Sequence, residues 1–338
     1  MFFKKVFIIA EIGVNHNGDM NLAKKMINEA KECGADAVKF QTFKAEKLVT
    51  KKAAKADYQV KNTKNDDSQY EMLKKLELTE DDFKELYQYC KEKAIGFIST
   101  PFDIESADFL FNLGVESFKL SSGDLTNTPL IKHIAKFDKD IIISTGMAND
   151  DEISDAVNAA KIMKDGKVYL LHCTSNYPAN FSSLNLKCIS TLSDKFNLEC
   201  GYSDHTKGIE ASIAAAALGA RIIEKHFTLD CSMDGPDHRA SIEPKEFASM
   251  VKAIRNIEVA IGDGIKRCTE EERNTALVAR KSIVAKRPIL KGDKIGLDDL
   301  EYKRPGDGVA PSRYKDFIGK VALKDISLDE KILFESVE

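Results

Sequence analysis

The chain has no paired-cysteine motif. Its seven cysteines, at positions 33, 90, 173, 188, 200, 231 and 268, are odd in number and nowhere form C-x-x-C. That spacing excludes a disulfide framework and a zinc ribbon, and it points to a reduced, cytoplasmic setting. Long apolar runs are also missing. The opening Met1–Ala10 segment is too short for a signal peptide or a membrane span and reads instead as a first strand. Nor is there an excess of charge of either sign. A formal net charge of −4 argues against nucleic acid or an anionic membrane as the main partner. What remains, 43% hydrophobic and 31% charged residues, is the composition of an ordinary globular enzyme-sized protein.

At 338 residues the chain exceeds what a (β/α)8 barrel of ~250 residues needs, leaving room for a small second domain. Eight short apolar runs predict strands: Val6–Gly13, Ala37–Phe43, Gly96–Phe102, Ser117–Ser122, Ile141–Gly146, Val168–Cys173, Glu199–Ser203 and Arg221–Phe227. Helical periodicity fills the intervals, as with Leu22, Met26, Ile27 and Ala30 before Gly34. Alternating β and α segments imply a parallel sheet, and eight favour a closed barrel over a doubly wound open sheet. The stretch from Lys44 to Leu78 is polar and Lys-rich, and its composition supports only a solvated loop. The boundaries expected are a barrel over 1–262, a linker over 263–280 and a small β-rich domain over 281–338. Strand-like pieces in the last are Ser282–Ala285, Lys320–Leu323 and Ile332–Phe334.

Barrels of this kind build active sites from the C-terminal ends of their strands. Here nearly every such end is polar: Glu11, Asn15 and His16; Lys39, Gln41 and Thr42; Ser99 and Thr100; Lys119, Ser121, Ser122 and Asp124; Ser144; His172, Thr174 and Tyr177; Ser203 and Asp204. Alternation points Lys39 and Lys119 into the barrel mouth, where an unpaired ammonium is costly. An anionic ligand bearing phosphate and carboxylate would neutralise both, with Thr100, Ser122, Ser144 and Ser203 completing the hydrogen bonds. Salt bridges to Glu11, Asp124 or Glu224 are the plainer alternative. His205 and His226 end consecutive strands joined by a helix over Gly208–Ala220, and such a pair suits a transition metal. Cys173 reads as a small buried residue rather than a nucleophile. Lys51-Lys52 and Glu270–Arg273 read as solvated faces.

The segments AEIGVNHNGD, VKFQTFKA, FISTPFD, FKLSSGD, ISTGMA, LHCTSNYP, GYSDHT, EKHFTLD, GPDHRAS and YKRPGDG, in this order over essentially the whole chain, resemble the sialic acid (N-acylneuraminate) synthase family. The resemblance implies a (β/α)8 TIM barrel with a C-terminal antifreeze-like (SAF) domain, in a homodimer where each SAF domain caps the partner's barrel. It implies condensation of phosphoenolpyruvate with an N-acylated hexose and water, giving a nine-carbon 2-keto acid and phosphate. By motif, His205 and His226 would hold Mn²⁺ or Mg²⁺. Lys39, Thr100, Lys119, Ser122, Ser144 and Ser203 would bind phosphoenolpyruvate. Glu11, Gln41, Tyr177 and Asp237 would contact the sugar, and Arg304 would reach its acyl group from the partner. Glu11 or Asp124 would act as general base, although relatives usually carry Glu where Asp124 stands. Ser175 occupies a position where sugar preference could be set.

N-acetylmannosamine is the acceptor expected first, and 2,4-diacetamido-2,4,6-trideoxymannose, the legionaminate precursor, the alternative. The Asp57–Thr63 and Ser68–Met72 segments look like the sialic and legionaminic acid synthases and less like the pseudaminic branch. A 6-phosphorylated acceptor would need a further cationic patch that the sequence does not display. Two other classes stay in view. One is a Schiff-base pyruvate aldolase centred on Lys119. The other is a non-catalytic carbohydrate-binding protein, which would have no use for so many polar strand ends.

Overall fold

In the computed structural model, residues 5–63 and 67–338 are described, apart from the side chains of Asp57 and Lys61. The first four residues of the expected opening strand, and Lys64, Asn65 and Asp66 of the insertion, therefore lie outside the described residues. The chain divides into two compact units, Met1–Gly262 and Asp263–Glu338.

The first unit is a closed barrel in which β1 (Phe7–Gly13), β2 (Ala37–Thr42), β3 (Gly96–Pro101), β4 (Ser117–Leu120), β5 (Asp140–Ser144), β6 (Val168–Cys173), β7 (Cys200–Asp204) and β8 (Ile222–His226) follow one another around the ring. All neighbouring pairs are parallel, and β1 closes on β8 with Glu11 opposite His226. Each expected strand is present within about two residues, as the alternation of apolar and polar residues requires. Helices α1 (Met20–Glu32), α2 (Ala45–Leu48), α3 (Asp57–Thr63), α4 (Gln69–Leu76), α5 (Glu80–Glu92), α6 (Ile104–Leu113), α7 (Thr128–Ala135), α8 (Asp150–Ala160), α9 (Cys188–Phe196), α10 (Glu210–Ala217) and α11 (Pro244–Ala260) complete it. Local chemistry fixes their starts. Asp19, Thr79, Asp103 and Asn149 each accept first-turn N–H bonds as N-caps, and Pro244 opens α11.

Strand residues alternate between two environments. Ile8, Val38, Phe118, Ile141, Leu170 and Ile223 face the helices in one large apolar core. Ile9, Ala37, Ile98, Ile142, Tyr169, Leu171 and Ile222 point inward and pack into a separate plug. The barrel is thus filled, not hollow, at that level. Two residues further along the strands, the same inward side carries Glu11, Lys39, Thr100, Ser144, Cys173 and Glu224, so the period of two converts the plug into a polar floor. Facing outward on β7 and β8, Asp204 and Lys225 form a buried pair at 2.8 Å. Asp204 also accepts from Ser212 Oγ and from Thr206 N and Oγ1, and Lys225 donates to the Thr206 carbonyl.

The Lys44–Leu78 insertion departs from the expected solvated loop. It holds α2, α3 and α4, and Ala45, Met72, Leu73 and Leu76 are buried with Val14 and Phe43 in a core of their own. A capping box at Ser68 and Glu71 starts α4. Its apolar residues recur at helical spacing within a charged stretch, and averaged composition hides such a pattern.

In the second unit, α12 (Glu272–Ala279) interrupts the expected linker, and β9 (Ser282–Ala285) pairs antiparallel with β10 (Leu300–Lys303). Of the other expected strand-like pieces, Lys320–Leu323 contributes only the isolated bridges Val321 to Lys294 and Ala322 to Val337, and Ile332–Phe334 contributes none, the bridge to Val284 falling on Lys331 just before it. Ile283, Ile289, Ile295, Phe317, Ile326 and Ile332 make this unit's core.

Replacing Lys225 with Met leaves the Asp204 carboxylate buried without its counter-charge. Denaturant unfolding should show a loss of about 3–5 kcal/mol, and Asp204→Asn in the same chain should recover much of it.

Candidate active site

Above the polar floor lies a cavity of about 480 Å³ at the C-terminal ends of the strands. Among the residues expected to form the site, Glu11, Lys39, Gln41, Thr100, Lys119, Ser122, Ser144, Tyr177, Ser203, His205, His226 and Asp237 all line it. Ser175 lines it as well. Asp124 does not. The Ser122–Asp124 turn directs its carboxylate to Ser121 Oγ at 2.7 Å and Asn127 Nδ2 at 3.4 Å. This corrects the expectation that Asp124 presents a base to the mouth, because the short side chain is spent on closing its own turn. Arg304 belongs to the second unit. It is exposed there, at the head of a turn in which Ser282 Oγ donates to the Pro305 carbonyl and accepts from Gly308 N.

The floor is a cluster of four buried charges. Lys39 Nζ lies 2.8 Å from Glu11 Oε2 and 3.8 Å from Glu224 Oε2, and Lys119 Nζ lies 3.7 Å from Glu224 Oε1. Lys119 also donates to Ser144 Oγ at 2.7 Å and to the Leu120 carbonyl at 3.1 Å, and Ser203 Oγ donates to Glu224 at 3.0 Å. Of the two readings of the lysines, the salt bridges are present, to Glu11 and Glu224 but not to Asp124, so two carboxylates face them before any ligand arrives. The carboxyls are not equivalent. Burial lifts Glu11 to about 7 against the pull of Lys39, with Glu224 adding to the rise. For Glu224 burial also pushes upward, but Lys119 and Lys39 outweigh it and hold the group at about 2. Burial lowers Lys119, whereas the two carboxylates outweigh burial for Lys39 and raise it. Glu11 is thus the member able to gain or lose a proton near neutrality. Glu224 appears in the sequence reading only as an alternative salt-bridge partner. Its place two residues before His226 on one strand is the signal that it shares the cavity face.

His205 and His226 are buried with ring centroids 5.6 Å apart, and burial, joined for His226 by the neighbouring His205, lowers both so that they stay neutral. His205 Nδ1 faces the Thr174 carbonyl at 2.9 Å, which fixes that ring and leaves Nε2 beside Ser203 Oγ at 3.4 Å. His226 Nδ1 is buried with no hydrogen-bond partner. Two neutral imidazoles, one with an orphaned buried nitrogen, fit a divalent ion. No group of three or more His, Cys, Asp or Glu able to hold a metal occurs among the described residues. The Tyr177 ring covers the pair, 4.2 Å from His205 and 5.7 Å from His226, and meets Tyr58 of α3 at 5.0 Å. Tyr58 and Gln59 belong to the insertion that the sequence reading leaves as loop. Asn62 ties α3 to the segment after β8 by donating to the Pro236 carbonyl at 2.6 Å.

Opposite the histidines, small residues make a tight cradle. Gly146 N donates to Ser122 Oγ, and a Cβ at Gly146 would stand 2.2 Å from Ser175 Oγ and 2.7 Å from Cys173 Sγ. Only glycine permits that approach. His16 and His238 are structural: His16 Nδ1 accepts from Gly18 N, and His238 Nδ1 pairs with Thr228 Oγ1.

Burial raises Asp237 to about 6 from an ordinary 3.8, against the opposing pull of Lys39. A raised carboxyl costs nothing below its ordinary range, and the cost grows as pH climbs through 4 to 6 and the group must ionise in place. Asp237→Asn should accordingly melt at a higher temperature than the parent at pH 8, by on the order of 2 kcal/mol in stability, and match it at pH 4. Thermal scans at the two pH values check this.

Comparison with known proteins bears on the fold and the family. Residues 26–266 match the NeuB family and residues 280–338 match the SAF domain. An N,N'-diacetyllegionaminic acid synthase of Campylobacter jejuni is 52% identical, the match covering 97% of this chain and 99% of that one. A second protein of that name, from Legionella pneumophila, is 46% identical over 98% of this chain and 94% of its own. Among solved structures, an N-acetylneuraminic acid (sialic acid) synthetase of Leptospira borgpetersenii superposes with a TM-score of 0.72 at 38% identity, covering 80% of this chain and 90% of that one. With the barrel and the C-terminal domain both matched and relatives aligned over nearly its whole length, the chain belongs to the NeuB family of nonulosonic acid synthases.

Proposed function

We propose that this enzyme condenses phosphoenolpyruvate with 2,4-diacetamido-2,4,6-trideoxymannose and water, releasing N,N'-diacetyllegionaminate and phosphate. The observation that carries the acceptor is full-length identity of 52% and 46% to proteins named for that product, against 38% to one named for N-acetylneuraminate. N-acetylmannosamine, the acceptor expected first from sequence, becomes the second choice. The assignment of Mn²⁺ or Mg²⁺ to His205 and His226, and of Arg304 to a partner's site in a swapped homodimer, belongs to the same proposal. The orphaned His226 Nδ1 supports the metal.

A bound divalent ion would supply Lewis-acid polarisation of the acceptor's aldehyde oxygen. The protein's own part begins with the donor. Lys39, Lys119, Thr100, Ser122, Ser144 and Ser203 would hold its carboxylate and phosphate. The floor is already neutral without ligand, so Glu11 would release Lys39 to the incoming anion. C3 of phosphoenolpyruvate would form the new bond to the aldehyde carbon, the carbonyl pair moving onto the aldehyde oxygen as an alkoxide and positive charge being left at C2. Water adds to C2, and Glu11 would take its proton and return it to that alkoxide, which becomes the product hydroxyl, a contribution worth about 10²–10⁴-fold. The tetrahedral intermediate then expels phosphate by breaking the C2–O bond, with the lysines balancing the charge that develops. Tyr177, Gln41 and Asp237 would orient the sugar.

Phosphate release should require the diacetamido acceptor, stop with chelator and return with Mn²⁺. His226→Ala should abolish it with every divalent ion, and should also remove the Mn²⁺-dependent rise in melting temperature. Turnover that ignores chelator and is trapped by borohydride with pyruvate would instead favour the Schiff-base reading of Lys119.

A further inference from the structure

The cavity is polar on its floor and along the β6–β8 side, but one flank is different. There α4 contributes Met72, Leu73 and Leu76, joined by Val14 from the end of β1 and Phe102 from the end of β3. Met72, Leu73, Leu76 and Val14 are buried, and together with Phe102 they belong to the small apolar cluster inside the insertion. The flank therefore serves two surfaces at once, the insertion's own core and the cavity lining. Among the described residues, the only lysine or arginine side chains lining the cavity are Lys39 and Lys119, both on the floor and both facing carboxylates. The side chains presented by α4, Val14 and Phe102 are all apolar, while of the polar residues beside them Gln41 Nε2 donates to Glu11 Oε1 and Gln59 Oε1 accepts from Ala56 N.

We infer that this wall of α4 receives the terminal methyl carbon of a 6-deoxy acceptor, and that Leu73 and Met72 select against the 6-hydroxy analogue. The inference rests on the proposed diacetamido-sugar reading and deepens it. An aldehyde at the histidine pair on β7 and β8 leaves the far end of an open-chain hexose to the flank where Phe102 follows β3, four strands from β7 in the ring of eight. A methyl there keeps the wall dry. A hydroxyl would be desolvated against carbon, and apolar pockets of this kind discriminate by about 10–200-fold.

The test compares kcat/KM for two acceptors that differ only at C6, deoxy against hydroxy, in the parent and in Leu73→Asn, Met72→Gln and Leu73→Met. The parent should prefer the deoxy sugar by about 10–100-fold. Leu73→Asn and Met72→Gln should bring the ratio to within about threefold of one without changing KM for phosphoenolpyruvate, and Leu73→Met should keep the preference. A merely structural role would lower the melting temperature and slow both acceptors equally, and an unchanged ratio in the folded variants overturns the inference. So does a parent that uses both acceptors equally. Turnover of neither acceptor by metal-loaded parent would overturn the functional proposal as well, an outcome distinguishable from failure of the wall alone.

Discussion

Everything at the mouth of this barrel depends on the charge cluster formed by Lys39, Glu11, Glu224 and Lys119. Four ionised groups within a shielded interior are tolerable only because they alternate in sign and because Ser144 and Ser203 hydroxyls take part of the bonding load. That balance fixes the inward registry of β1, β2, β4 and β8, since moving any strand by one residue would turn a charge toward the apolar shell. It also gives the site its chemistry. The two carboxyls lie in one cluster yet differ widely in acidity, because Glu224 faces both lysines and Glu11 faces mainly one. One is a fixed counter-charge and the other can exchange a proton.

The second organising constraint is the stacking of layers along the barrel axis. On successive inward positions the strands run from Ile9 to Glu11 to Gly13, from Ala37 to Lys39 to Gln41, and from Ile222 to Glu224 to His226. Apolar packing, ion pairing and metal-competent nitrogen thus sit at three heights, set by a strand rise of about 3.3 Å per residue. Outside the ring, Asp204 and Lys225 repeat the ion-pair solution on the helix side, where their neighbours Ser203 and Glu224 face the cavity.

Much of this was legible in the sequence, for definite physical reasons. Short apolar runs located all eight strands, and alternation pointed Lys39 and Lys119 inward, because a strand has only two faces. Alternation also carried Glu224 beside His226, yet an acid next to a lysine is so often a simple ion pair that its central place stayed hidden. Asp124 was misread because a strand-end position says nothing about a turn residue bonding back to its own Ser121. The insertion escaped because its helices hide their apolar stripe in a lysine-rich average. The second unit's strands were harder still: its core is assembled from single bridges and turns, which leave no periodic trace.

The plug of Ile9, Ile98, Ile142, Tyr169, Leu171 and Ile222 has a consequence for traffic. It seals the floor from below, so nothing reaches the lysines from that side of the barrel. Whatever binds against the lysines must arrive before the molecule that covers it, and whatever is formed beneath must wait for the cover to depart. Under the proposed roles the order of loading and unloading is then imposed by depth alone, with no moving gate required: the queue is built into the shape of the vessel.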